Sequence, residues 1–208
     1  GVDEIAIVVI DRDDRGPDYD LLDKINNYKI KTPLIYGGGI KNKDQANKVI
    51  NHGVERIMLD SIVYESPDNI MGIYSLLGSQ ALILSLPLIR EENQVCFYNY
   101  KTRKKFFINK IKNILSEDFF SELVLIDVQG EGDNLGFDKY LSNYLKTITD
   151  IPFILFGGIA NSKHVKDCLI DDKISAVMIG NSLNYKEHRI YHLKKDIKDL
   201  WLRKHILK

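Results

Sequence analysis

The run TPLIYGGGIKN at 32–42 returns as IPFILFGGIAN at 151–161, an offset of 119 residues. Pro33 and Pro152, Ile35 and Ile154, Gly38 and Gly157, Gly39 and Gly158, Ile40 and Ile159, and Asn42 and Asn161 coincide. Each copy reads as a short apolar strand, a glycine pair, and a helix that opens on an asparagine cap. The match extends outward, with Glu4 over Glu122 and YDLL at 19–22 over FDKY at 137–140, after a drift that a single insertion explains. A βαβα unit written twice is two halves of a (β/α) barrel, a symmetry that a doubly wound sheet does not need.

The rest of the chain fits that frame. Strand-like runs at 4–10, 33–36, 55–60, 80–86, 122–128, 152–156 and 175–179 are nearly all apolar, as strands buried on both faces must be. Helical patterns at 19–29, 43–52, 66–77, 107–119, 137–149, 162–171 and 187–204 lie between them, with Asn42 and Asn161 as N-caps and Gly53 just past a C-terminus. Strict alternation means a parallel α/β sheet. The expectation is a TIM-type (β/α)8 barrel with a two-fold half-barrel repeat, residues 1–208 forming one domain. The repeat makes the first βα unit the missing one, so the sheet is expected to carry two unpaired edges. One insertion breaks the rhythm: QVCFYNYKTRKKFF at 94–107 alternates like an antiparallel hairpin around Lys101–Arg103.

Charge is balanced, with 29 basic and 29 acidic residues, which argues against a nucleic-acid partner. The one basic cluster, Lys101, Arg103, Lys104 and Lys105, reads as a solvated hairpin tip. Cys96 and Cys168 lack metal-ligand spacing and fit free thiols in a reducing cytoplasm. No apolar run approaches the ~18 residues of a membrane span, and no signal peptide is visible. His52, His164, His188, His192 and His205 form no constellation, so neither a metal nor a cofactor is expected. In the tail, Ile190, Leu193, Ile197, Leu200 and Trp201 recur at helical spacing and are assigned to the core.

The glycine pairs carry the functional expectation. In a barrel, loops that follow strands form the active-site face. Glycine lets backbone N–H groups approach an anion, and the following helix N-terminus adds partial positive charge. Two phosphate cups are therefore expected: Gly37, Gly38 and Gly39 completed by Ser61, and Gly157 and Gly158 completed by Gly180 and Asn181. The implied ligand bears a phosphate at each end.

The segments GVDEI…IDRD (1–13), PLIYGGGIKNKDQANKVINHGVERIMLDS (33–61), GSQALIL (78–84), LGFD (135–138), IPFILFGGIAN (151–161) and AVMIGNSLNY (176–185) resemble the cyclase subunit of imidazole glycerol phosphate synthase. The sister isomerase of histidine biosynthesis is a more distant branch. PDYDL together with YGGGIK is similar to a paralogous branch found with surface-polysaccharide genes, where the protein is thought to help an amidotransferase convert a sugar to an amidine. The resemblance implies a (β/α)8 barrel acting on a bisphosphorylated aminoimidazole ribotide. It also implies a glutaminase subunit as heterodimer partner, which delivers ammonia through the barrel, and two facing carboxylates that move protons.

This chain departs from the family pattern at those carboxylates. One is expected on the first strand, before this sequence begins; the other position is Pro87. The acidic loop after the sixth strand becomes VQGEGD at 128–133, which places Glu131 at the supporting acidic position with Asp127 just before it. Asp11 matches one of two acids at the end of the strand at 4–10, and Val9 replaces the other. Glu131, Asp127 and Asp11 are the candidate proton-transfer residues. Asp60–Ser61 stands where the family has Asn-Thr, and Phe156 bulks up a position before the glycines that is usually small. Two classes stay open: an ammonia-using enzyme of either branch, or a barrel that keeps anion binding or partner docking without the chemistry.

Overall fold

The computed structural model describes residues 1–12, 15–185, 189–198 and 200. Its order is β1 (Ile5–Val8), α1 (Tyr19–Asn26), β2 (Leu34–Gly37), α2 (Lys43–Asn51), β3 (Arg56–Leu59), α3 (Ile62–Glu65), α4 (Asp68–Leu77) and β4 (Leu82–Glu91). It continues with β5 (Gln94–Asn99), β6 (Lys104–Phe107), α5 (Lys112–Leu115), β7 (Glu122–Asp127), α6 (Lys139–Leu145), β8 (Phe153–Phe156), α7 (Ser162–Leu169), β9 (Ile174–Val177) and α8 (Arg189–Asp196). The hydrogen-bonded strand order is β1-β2-β3-β4-β7-β8-β9, with β5 on β4 and β6 on β5. Parallel strands alternating with helices make this an α/β fold of the TIM-barrel type, as the repeat predicts.

Contacts divide the chain into two compact units, Val2–Ser85 with Glu117–Ser121, and Leu86–Ser116 with the chain from Glu122 on. In the first unit β1, β2 and β3 pair in parallel, Ala6 opposite Ile35 and Tyr36 opposite Ile57. Tyr36, Ile57, Leu82 and Ile83 are fully buried there, along with Ala46 and Val49 from α2. In the second unit β7, β8 and β9 pair in parallel, Leu125 opposite Leu155 and Leu155 opposite Val177. Leu123, Leu125, Phe153 and Leu145 fill its core. Burial of each such side chain contributes roughly 1.5–3 kcal/mol.

The helix starts follow the sequence closely. Asn42 accepts the Gln45 N–H at 3.0 Å and Asn161 accepts the His164 N–H at 2.9 Å. Gly53 follows α2 with φ +83, the left-handed conformation that ends helices. The basic cluster is an exposed hairpin tip, with Lys105 paired to Glu91. Cys96 and Cys168 are both buried and unbridged. In the tail, Leu193 and Ile197 are buried while Ile190 and Leu200 are half-buried. The assignments of Trp201 to the core, of the helix beyond residue 200, and of His188 and His205 fall outside the described residues.

Four boundaries differ from the sequence-based expectation. The strand expected at 4–10 stops at Val8, and the Val9 N–H makes the last bond to β2, to Gly37 O at 2.8 Å. The strand expected at 80–86 runs on to Glu91 through a buried Pro87. Leu82–Leu84 pair in parallel with β3, and Leu88–Glu91 pair antiparallel with β5. Pro87 falls where the strand changes partner, a place where a missing N–H leaves no ladder bond broken. The helix expected at 66–77 begins at Asp68 as α4, and a short helix that was not expected, α3, precedes it after β3. The helix expected at 107–119 shrinks to a 3-10 turn, Ile108–Ile111, and α5. At its end, Leu115 O accepts the Thr149 hydroxyl at 2.8 Å.

Two glycine turns and an acidic loop as the candidate site

In the first unit, Gly38 and Gly39 turn the chain from β2 toward α2 at φ +129 and +71. A side chain at Gly38 would lie 2.2 Å from Val9 O, and one at Gly39 would lie 2.5 Å from the Gly16 carbonyl carbon. The glycines thus seat the turn directly on the backbone of the 9–18 loop. Arg12 holds that loop, donating from Nε to Gly16 O at 2.8 Å and from Nη2 to Pro17 O at 3.1 Å. The buried Tyr36 hydroxyl accepts the Asp18 N–H at 2.7 Å. Burial raises the Tyr36 hydroxyl above its usual range, against the lowering pull of the Asp18 N–H and the Arg12 charge. Gly37 abuts Met58, and Ser61 stands immediately before α3 with no side-chain cap bond. Asp11, expected at a strand end, lies three residues past β1, exposed and left-handed at φ +57.

The second unit repeats the turn with different supports. Gly157 and Gly158 adopt φ +116 and +66. A side chain at Gly157 would lie 2.7 Å from Asp127 O, and one at Gly158 would lie 2.3 Å from Gly136 O. Asp127 is 4% exposed, and both of its carboxylate oxygens accept backbone N–H groups, from Gly130 at 2.9 Å and Asp138 at 3.1 Å. It organises the 128–138 loop as Arg12 and Tyr36 organise the 9–18 loop. A clue was available in the sequence, since an Asp followed by a turn glycine three residues on favours a side-chain-closed turn. Glu131 stands on the same loop with an exposed side chain, accepting the Tyr100 hydroxyl at 3.2 Å. Partial desolvation raises its carboxyl above the usual carboxylate range; the Tyr100 hydrogen bond opposes the rise and the Asp127 charge adds to it.

Gly180 lies where its own side chain would come within 3.2 Å of Phe156 Cε2, so the ring before the glycine pair reaches the loop after β9. Asn181, exposed, opens the 3-10 helix Asn181–Tyr185. Among the described residues no acceptor within the protein takes up the N–H groups of Gly38, Gly39, Gly157 or Gly158. Each glycine pair also precedes an asparagine-capped helix, whose N-terminus carries partial positive charge. The structure therefore groups Gly37, Gly38, Gly39 and Ser61 in one unit, and Gly157, Gly158, Gly180, Asn181, Asp127 and Glu131 in the other. Among the described residues no cluster of three or more metal-ligating side chains occurs, and no helix is long and apolar enough to cross a membrane.

Composition and periodicity did not single out three side chains near the second turn. His164 packs on Gly136, and its Nδ1 accepts the Ala160 N–H at 3.4 Å. Ser182 follows Asn181, and Arg189 opens α8 with Nη2 donating to Ala160 O.

Fold and site together define a TIM-barrel-type α/β protein whose halves each carry a strand, a glycine pair and a capped helix. The chain belongs to the histidine biosynthesis protein family, which it matches over residues 1–189. It is 29% identical over 191 residues to the putative imidazole glycerol phosphate synthase subunit HisF of Leptospira borgpetersenii, covering 88% of this chain and 74% of that relative. The imidazole glycerol phosphate synthase subunit HisF of Methanococcus maripaludis is 27% identical over 192 residues, covering 79% and 69%. The putative subunit hisF2 of Vibrio vulnificus is 25% identical over 202 residues, covering 95% and 74%.

Proposed function

We propose that this chain is the ring-forming subunit of an imidazole glycerol phosphate synthase type of enzyme in histidine biosynthesis. It takes ammonia from a glutaminase partner in a cytoplasmic heterodimer and acts on a bisphosphorylated ribotide. The observation that carries this reading is the pair of glycine turns whose N–H groups lack an acceptor among the described residues, one turn in each unit. Each turn, at the head of a capped helix, suits one phosphate group. Gly37, Gly38, Gly39 and Ser61 would take one, and Gly157, Gly158, Gly180 and Asn181 the other.

Ammonia attack, ring closure and elimination need protons moved at neutral pH. Glu131 is the group suited to that work, since an upward-shifted carboxyl is closer to the pH at which it must both give and take a proton. Asp127 acts by positioning: its oxygens are committed to the loop that carries Glu131. Asp11 is exposed beyond its strand and remains a weaker candidate for the same work.

Pro87 favours a second reading. A buried proline inside a continuous β4 occupies the position where the resemblance places a carboxylate. A barrel so altered fits a paralog that assists sugar amidation, or one that binds phosphates and docks a partner without catalysis. Turnover of the bisphosphorylated aminoimidazole precursor, with ammonium salt replacing the glutaminase, separates the readings. The enzyme reading predicts turnover that falls roughly 10²- to 10⁴-fold in Glu131→Gln. Binding of the precursor with no turnover, in the wild type and in Pro87→Asp alike, rejects the cyclase assignment and leaves the binding barrel.

A further inference from the structure

Two side chains that follow β9 in the second unit, Ser182 and Arg189, hold buried donors, and one of them reaches the chain just past Gly157–Gly158. Arg189 reaches from the start of α8 to donate through Nη2 to Ala160 O, two residues past the glycine pair. Its Nε is buried and has no hydrogen-bond partner among the described residues. The Ser182 hydroxyl, two residues past Gly180, is likewise buried without a partner. A buried donor left unmade costs about 1–3 kcal/mol, more when it is charged, so two within eight residues of one another need an account. The surroundings also hold a negative charge. Asp133 Oδ1 lies 3.1 Å from where a side chain on Gly158 would begin, while accepting the Leu135 N–H.

We propose that Arg189 is the fixed positive charge of the second phosphate cup, with the Ser182 hydroxyl as its companion donor. The class of ligand is a phosphate monoester dianion. The backbone carbonyl of Ala160 anchors one edge of the guanidinium, and the buried Nε–H remains for a phosphate oxygen. A planar, permanently charged fork suits that ligand better than a point charge does. The Arg189 charge offsets Asp133, which would otherwise repel an anion from the Gly157 and Gly158 amides. Arg189 is not part of the repeated scaffold: the residue at the repeat offset in the first unit is the buried Ile70 of α4. The two cups therefore differ in kind, the second carrying a formal cation. This inference rests on the reading of the glycine turns as phosphate cups.

Titration of 15N-labelled protein with inorganic phosphate, followed at the glycine amides, tests both levels separately. The wild type should show the Gly157 and Gly158 amides shifting to saturation, as well as those of Gly38 and Gly39. In Arg189→Gln the midpoint at Gly157 and Gly158 should rise roughly tenfold, as expected for loss of a charge-assisted hydrogen bond. The midpoint at Gly38 and Gly39 should stay where it was, which also reports that the variant is folded. Arg189→Lys should raise the second midpoint by a smaller factor, and Ser182→Ala should raise it roughly two- to fivefold. An unchanged second midpoint in Arg189→Gln, with both glycine pairs responding, overturns the role of Arg189 and leaves the cups standing. Phosphate that moves neither pair in the wild type overturns the cups and this inference together. Should Arg189→Gln fail to fold, unchanged second midpoints in both Arg189→Lys and Ser182→Ala overturn the proposal.

Discussion

The two halves of this chain perform the same backbone manoeuvre with different side chains. Asp18 and Asp138 both cap a helix, accepting the Leu21 and Tyr140 N–H groups. Their own N–H groups go to the Tyr36 hydroxyl in one half and to the Asp127 carboxylate in the other. Glu4 forms an ion pair with Arg56, whereas its counterpart Glu122 accepts the Ser175 hydroxyl. Gln45 accepts the Lys41 N–H, and His164 accepts the Ala160 N–H. What the repeat preserves is the set of backbone donors that must be satisfied; which group satisfies them is free to change. The conserved physical requirement is the hydrogen-bond account of the turn.

The sharpest way to break that parallel is at the glycines. Gly38→Val and Gly157→Val each place a branched side chain at positive φ against a carbonyl, and each should cost about 3 kcal/mol or more in urea unfolding. Gly38→Val should be the worse, because its carbonyl stands at 2.2 Å against 2.7 Å. Equal, mild losses would show that the turns do not rest on the preceding loops. Next in size is Asp127→Ala, which strands the Gly130 and Asp138 N–H groups and should cost about 2–4 kcal/mol. Tyr36→Phe strands only the Asp18 N–H and should cost about 1–2 kcal/mol. The reverse ranking would contradict Asp127 as holder of its loop.

Helix starts come third. Gln45→Ala should cost about 1 kcal/mol, and His164→Ala less, since its bond to Ala160 is long. His164→Gln should be close to neutral, because it copies the first half. The smallest effect should be Cys168→Val, within about 1 kcal/mol by thermal melting, as Val49 fills the corresponding place. Its value lies in pH. Burial pushes the Cys168 thiol up to about 11, with Lys139 lowering it and Asp167 raising it. The folded chain then keeps a proton that the unfolded chain releases near 9.0. That contribution to stability is fully present below about pH 9 and is lost as the pH rises to about 11. Cys168→Val should flatten that decline, and an unchanged slope would assign it to other groups.

The strands, the parallel alternation and both asparagine caps were legible because they are written in local period and local residue choice. The glycine pairs were legible because the sequence states them twice. The supports beneath them were not. Tyr36 reads as one more apolar strand residue, and only the fold brings its hydroxyl to the Asp18 N–H, 18 positions away. Arg12 reads as a surface charge, yet its donors close the loop around Gly16 and Pro17. The passage of β4 through Pro87 was hidden because proline ordinarily ends a strand, and the change of partner that tolerates it is a long-range event. Asp127 was visible as an acid, but its commitment to two backbone N–H groups was not.

Phe156 and Gly180 carry a further consequence. At the repeat offset the first half has Gly37 and Ser61, so bulk and its absence have exchanged places across the turn. With the Phe156 ring 3.2 Å from where a Gly180 side chain would start, a larger residue at 180 fits only if the ring shifts by a few tenths of an ångström. Bulk at 156 and bulk at 180 are therefore coupled: a smaller residue at 156 leaves more room for a side chain at 180. The two sites should tolerate change more readily together than one at a time.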